Sequence, residues 1–372
     1  EFFKQQTKLH FKELHYYPQY YIENSSKPDL DYLSKIEKEL GLNFWLIAYA
    51  ERTFLQERNF FHSFRSDEIL SIIESLTKFF YDFLNRVKPD FILMQKTGEN
   101  LANFLLYNIA KSMNIKTLMM VETRLSNSFV ISDDLLVSNL KNDFNKIKNS
   151  SSHNVKEYEP EFIQKRSLSI DLKSFLEIEF GNASFIEKLT RYSKRINTDP
   201  EPILLNRGKT KLKMLSWRWN QLFQLRKRRN FLEKHTLKHI PDKKFIYFPL
   251  PVQPESQSYA WSPFHVNMIS IIENIAKSIP SNYLLFVKEH PGQKSKNWRS
   301  IEIYEKITAL PNVRLLHYNV NNWEMISKSN LVILINNSSG LEALFYKKPV
   351  IVFGDTFYDV TSMVKKVEKI ED

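Results

Sequence analysis

The sequence predicts an α/β protein of two doubly wound units, each built on a largely parallel sheet. Three observations carry that expectation. Strand-like and helix-like segments alternate from residue 244 onward, the strands of that run end in polar residues, and the N-terminal half repeats the same grammar less regularly. At 372 residues the chain exceeds the usual single-domain size, so two domains are expected, and a hydrophobic fraction of 42% supplies their cores.

In the N-terminal half, short apolar runs predict strands at 44–49, 91–94 and 117–121, and helical periodicity predicts helices near 67–87 and 100–113. The strands end in Gln95-Lys96-Thr97-Gly98-Glu99 and Glu122-Thr123-Arg124. Around 141–207 the composition turns Asn/Ser/Lys-rich and then helical, with Asp199-Pro200-Glu201-Pro202 as a break. These shifts divide the chain into an N-terminal unit with a helical inter-domain region at 1–205, a basic linker at 206–240 and a C-terminal unit at 241–372.

The C-terminal unit reads as strand 245–250, helix 264–278, strand 283–287, helix 297–309, strand 313–317, helix 323–329, strand 331–335, helix 340–346 and strand 350–353. In such sheets ligands bind beyond the carboxyl ends of the strands. After the fourth strand comes Asn336-Asn337-Ser338-Ser339-Gly340, a small polar turn able to aim backbone N–H groups and hydroxyls at an anion where a helix begins. Glu342, in that helix's first turn, is suited to accept hydrogen bonds from ribose hydroxyls. The alternative for Gly340 is that it only eases tight packing.

After the second strand, Lys288-Glu289-His290-Pro291 delivers an imidazole that can donate to a phosphate or leaving-group oxygen. After the first, the stiff loop Pro249-Leu250-Pro251-Val252-Gln253-Pro254-Glu255 can wall a base or sugar pocket, which makes Gln253 and Glu255 donor-side candidates. Glu99, Glu122 and Arg124 are candidates on the acceptor side, and Asp133-Asp134 is a further carboxylate pair. Solvated strand ends are the plainer alternative for each of these.

A net charge of +11 favours an anionic partner. Residues 207–229 hold nine Lys/Arg and no Asp/Glu, interleaved with Leu212, Leu215, Trp217, Trp219, Leu222, Phe223 and other apolar residues. That segment could be a membrane-surface helix, a nucleic-acid patch or a linker helix packed on both units; without a recognition module, no specific nucleic-acid partner is expected. Cysteine is absent, which excludes disulfides and thiolate chemistry. No HExxH, Walker A or GxGxxG pattern is present, so no metal site and no bound cofactor are expected. No run reaches the roughly 20 apolar residues of a membrane span, and the N-terminus lacks the apolar core of a signal peptide. A cytoplasmic location is expected, and a first residue other than Met leaves any upstream targeting segment unseen.

With those residues in place, the C-terminal third resembles the capsule polysaccharide biosynthesis family, which includes Kdo transferases of the GT-B architecture, two Rossmann-like domains facing across a cleft. The matching elements are YFPLPVQPES from Tyr247, LLFVKEHPG from Leu284 and NNSSGLEALFYKKPVIVFGDTFYD from Asn336, and VETRLSNSFVISDD from Val121 gives a weaker echo. The resemblance implies transfer of a sugar, Kdo or a related acidic sugar from a CMP-linked donor, onto a glycan or glycolipid acceptor at the inner face of the cell membrane; metal independence is expected because the candidate donor-side groups could stabilise the leaving phosphate by themselves. It puts the KEHP and NNSSGLEA elements on the donor; together with the residue-level reading, the donor set is Gln253, Glu255, Lys288, His290, Asn337, Ser338, Ser339, Gly340 and Glu342, the catalytic candidates are Glu99, Glu122 and His290, and Arg124 is placed on the acceptor side. The Asn336-Asn337-Ser338-Ser339 turn departs from relatives with Thr-Gly or Gly-rich turns, which leaves the donor open. A similar pattern occurs in teichoic-acid-type glycerophosphotransferases that use a CDP-polyol. Sugar-nucleotide 2-epimerases share the architecture, and a non-catalytic membrane-docked assembly subunit is the non-enzyme alternative.

Overall fold

The structure, a computed structural model, describes residues 27–51, 53–55, 60–95, 100–122, 129–134, 144–146, 207–253, 262, 265–296 and 298–369, together with Lys12, Glu13 and His15. The inter-domain region expected at 141–207 lies almost wholly outside them, as do Glu99, Arg124 and Glu255. Two sheets are present, one of three strands and one of six, in the α/β class that the sequence predicts.

The N-terminal unit holds helices α1 (Leu30–Leu40), α2 (Phe44–Ala50), α3 (Ser66–Val87) and α4 (Leu101–Ser112) and strands β1 (Phe91–Gln95), β2 (Lys116–Glu122) and β3 (Phe129–Ser132). The strand expected at 44–49 is helix α2. Its apolar run is too short for periodicity to separate strand from helix, but Asn43 caps it by accepting from the Leu46 N–H at 3.0 Å, and Phe44, Ile47 and Ala48 are buried at helical spacing. β1 and β2 pair in parallel and β3 adds antiparallel to β2. Leu76, Phe80, Leu105 and Ile109 from α3 and α4 centre the core, with Ile92 of β1 packed against it. Phe91, Leu93, Met120, Phe129 and Ile131 are exposed.

Helix α5 (Lys211–His235) is capped by Thr210. It leans on both units. At its start Trp217 stacks on Phe60 with ring centroids 5.2 Å apart, and Arg207 just before it pairs with Glu68 at 3.1 Å. Towards its end Leu232 is fully buried in the core of the C-terminal unit, beside the half-buried Leu225 and Phe231.

The C-terminal unit alternates β4 (Phe245–Pro249), α6 (Met268–Ser278), β5 (Leu284–Lys288), α7 (Ile301–Thr308), β6 (Val313–Leu316), α8 (Asn322–Lys328), β7 (Leu331–Leu334), α9 (Ser339–Phe345), β8 (Val350–Val352) and β9 (Val364–Lys366). All six strands are parallel, in the order β6-β5-β4-β7-β8-β9. The chain winds outward from β4 through β5 and β6, then returns to β7 on the other side of β4. That reversal creates a crevice at the carboxyl ends of β4 and β7. Side-chain alternation divides the core between the two faces: Phe248, Leu285, Val287 and Ile333 pack under α6 and α7, and Tyr247, Phe286, Val332 and Leu334 pack under α8 and α9. Among the described residues no helix is long and apolar enough to cross a membrane.

Candidate functional site

The crevice forms because β4 and β7 part early. Their register is defined only at Ile246–Leu331 and Tyr247–Val332, whereas β4 and β5 pair over five residues. Past the parting, Asn337 spans the gap, its amide nitrogen 3.4 Å from the Pro249 carbonyl. Its Oδ1 accepts from the Ser339 N–H at 3.1 Å and its own carbonyl accepts from the Tyr358 hydroxyl at 2.6 Å. Asn337 therefore shapes the turn and occupies the Ser339 N–H that the sequence reading left for an anion. The hydroxyls of Ser338 and Ser339 have no hydrogen bond to another described residue and stand at the mouth of α9.

Gly340 is buried, and a Cβ there would meet the Tyr358 hydroxyl at 2.5 Å and two ring carbons at 2.8 Å. The packing alternative is thus sufficient to explain this glycine. Glu342 accepts from the Asn322 amide at 2.9 Å, and Asn322 Oδ1 accepts from the buried Tyr247 hydroxyl at 2.6 Å. Burial and the Glu342 charge hold the Tyr247 phenol well above its ordinary pKa, so it stays a donor.

Lys288 ends β5 on the face that carries Phe286, and only 5% of it is exposed. Its ammonium has no hydrogen-bond acceptor among the described residues. Burial lowers its pKa to about 8 against the opposing pull of Glu289 and Glu342. A buried cation of this kind is stabilised by an anion.

Glu289 faces the opposite way and is fully buried. It pairs with Arg299 at 2.9 Å, accepts from the Tyr304 hydroxyl at 2.7 Å, and takes the His290 N–H at 2.8 Å. Arg299 also donates to Gln253 Oε1 and to the Pro251 carbonyl. Trp298, buried at a left-handed φ of 58°, turns the chain into Arg299, and a bulky side chain in that conformation is strained. Both charges of the pair are out of water, and it ties the β4 and β5 exit loops together.

Gln253, expected on the donor, has its groups committed within the protein. Its N–H and carbonyl bond to the Gln293 amide at 2.9 and 2.7 Å, its Nε2 donates to the Val266 carbonyl at 3.0 Å, and its Oε1 takes Arg299. This arrangement makes it a positioning residue. Arg299, Gln293, Tyr304 and Asn322 were missed by sequence reasoning. Each acts across a loop or from a neighbouring helix, with no motif of its own.

His290 is itself exposed. The Gly292 N–H donates to its Nδ1 at 3.0 Å, which leaves the ring proton on Nε2. Surrounding protein atoms, then Lys288 and Arg299, push its pKa down to about 4. The Lys288 and Arg299 charges and the Gly292 bond act on the ring itself. All three favour a neutral ring presenting one N–H.

On the N-terminal side, Glu122 closes β2 opposite Phe129. Asp134, just past β3, lies 3.5 Å from the Tyr107 hydroxyl. Lys288 and His290 thus stand together at the end of β5, beside the crevice where the strand order of this parallel α/β sheet reverses.

Residues 188–369, just under half of the chain, match the model of the family described as capsule polysaccharide biosynthesis protein. A 123-residue stretch is 29% identical to Protein FixF of Sinorhizobium fredii (strain NBRC 101917 / NGR234), covering 32% of this chain and 29% of FixF. The match thus spans less than a third of that curated relative. Among solved structures, the chain is similar to the beta Kdo 2,4 transferase of Thermosulfurimonas dismutans KpsC, with a TM-score of 0.39 and 11% identity, covering 75% of this chain and 73% of that one. It is also similar to the KpsC beta Kdo 2,7 transferase, with a TM-score of 0.29 and 20% identity, covering 40% and 47%.

Proposed function

We propose that the protein is a glycosyltransferase that moves a sugar, Kdo or a related acidic sugar, from a CMP-linked donor onto a surface or capsular polysaccharide. The observation that supports this reading is the pairing, within the segment matched by the capsule-family model, of the buried residue Lys288, whose ammonium has no acceptor among the described residues, with a His290 Nε2–H at the same strand end. A nucleotide leaving group departs as a phosphate anion, and a fixed cation and a neutral donor stabilise charge developing there.

In this reading Lys288 and His290 contact the donor phosphate, the Ser338 and Ser339 hydroxyls add donors, and Glu342 accepts from the ribose. Arg299, Gln253 and Gln293 hold the loops in place. On the acceptor side Glu99 or Glu122 serves as base if configuration inverts or as nucleophile if it is retained, with Arg124 beside the acceptor. The reaction needs no metal, and the protein works at the inner face of the membrane.

The test is transfer from CMP-Kdo to a capsular oligosaccharide by the purified chain in EDTA, alongside the Glu99→Ala/Glu122→Ala variant. Product from the parent and none from the variant is the expected result. Full activity in the variant would overturn the acceptor-side assignment, and dependence on Mg²⁺ would overturn metal independence. Transfer from CDP-glycerol alone would replace this reading with the phosphotransferase.

A further inference from the structure

Helix α5 carries apolar residues on two opposite faces. Met214, Trp217, Gln221, Leu225, Arg228 and Leu232 recur at three- and four-residue intervals and form the docked side, where each is at least half-buried. Leu212, Leu215, Trp219 and Leu222 recur with the same spacing nearly opposite, with Phe223 beside them, and are 80%, 44%, 67%, 50% and 67% exposed. Lys211, Arg218 and Arg229 flank this second stripe on one edge and Lys227 on the other, while Arg226 extends it by one turn. All five cations are exposed.

We infer that the exposed stripe of α5 is a membrane-docking face that lowers Leu212, Leu215, Trp219, Leu222 and Phe223 into the headgroup boundary of an anionic bilayer. The charge pattern selects this occupant. With no acidic residue from 207 to 229, two copies of the helix joined along the stripe would set like charges together, Arg226, Lys227 and Arg229 of each against the other in a parallel pair or against Lys211 in an antiparallel one. Nucleic acid would satisfy the cations and could stack Trp219, yet it has no apolar volume for the three leucines. A bilayer surface takes both, since the side chains find hydrocarbon while the cations meet lipid phosphates. This inference stands independently of the transfer reaction proposed above, because none of the stripe residues belongs to the crevice.

The test is co-sedimentation of the full chain with mixed phosphatidylcholine–phosphatidylglycerol vesicles, compared with phosphatidylcholine alone. Binding to the anionic vesicles that weakens with salt is expected. Leu212→Ser/Trp219→Ser/Leu222→Ser should lower partitioning at least about tenfold without moving the melting midpoint, since all three side chains are exposed. Arg226→Glu/Lys227→Glu/Arg229→Glu should do the same; Arg228 is left intact because its guanidinium donates to the Trp298 carbonyl at 3.1 Å. Undiminished vesicle binding by the apolar variant would overturn the inference. So would a dimer that this variant dissolves, or binding to nucleic acid with none to vesicles.

Discussion

Replacing Arg299 with methionine tests whether the crevice is held by the buried pair beneath it. The substitution removes the partner of Glu289, whose side chain is completely buried, and takes donors from Gln253 Oε1 and the Pro251 carbonyl. Breaking a buried ion pair from one side costs about 3–5 kcal/mol, because the remaining charge is left uncompensated. For a domain of this size that corresponds to a fall in melting midpoint on the order of 10 °C. The same change withdraws one of the cations that keep His290 neutral, so the imidazole should titrate at higher pH. Thermal melting followed by circular dichroism reads the first effect and NMR titration of the His290 ring reads the second. Tyr304→Phe provides a milder control: it deletes one donor to Glu289 and should cost about 1–2 kcal/mol. An Arg299→Met protein with an unchanged midpoint and an unchanged His290 titration would refute the argument.

Lys288→Met should stabilise the free protein by on the order of 2 kcal/mol at neutral pH, because it removes a desolvated charge, while weakening binding of CMP. The sign follows from a folded pKa of about 8 against an ordinary value of 10.5. The penalty on the parent is complete below the folded value and disappears as pH rises to the unfolded one, so the gain should shrink over that window; denaturant melts across the window check it. Gly340→Ala should cost about 1–3 kcal/mol by overpacking. Tyr358→Phe should relieve it only in part, since ring carbons at 2.8 Å remain in the way. Melting of the single and double variants would show this, and a Gly340→Ala protein as stable as the parent would contradict the close approach.

The C-terminal strands were legible within about a residue, since their apolar runs are bounded by polar turns. Lys288 and His290 could be picked out for the same reason, because a charged pair directly after LLFV has to emerge at a strand end. β3 and β9 escaped notice as short strands, β3 with three consecutive apolar residues and β9 with one, and α2 was mistaken for a strand because FWLIAYA suits either. Residue roles were less legible than residue places. Gln253 was recognised as a strand-end residue, but its four internal hydrogen bonds go to three residues 13 to 46 positions away, a distance over which sequence pattern carries no information. Arg299 was invisible on the same ground. The two-faced character of α5 was hidden as well: its aromatic and basic composition was evident, while the face that docks depends on where Phe60 and the C-terminal core lie.

The most direct measurement is a thermal-shift comparison of the parent and the His290→Ala and Lys288→Met variants against CMP, CDP, UDP and GDP, since a ligand that binds only the folded state raises its melting temperature. The account predicts stabilisation by CMP above the others, lost in both variants. Stabilisation by none of the four well above a plausible dissociation constant, or by CMP equally in all three proteins, would contradict the donor site placed at this crevice.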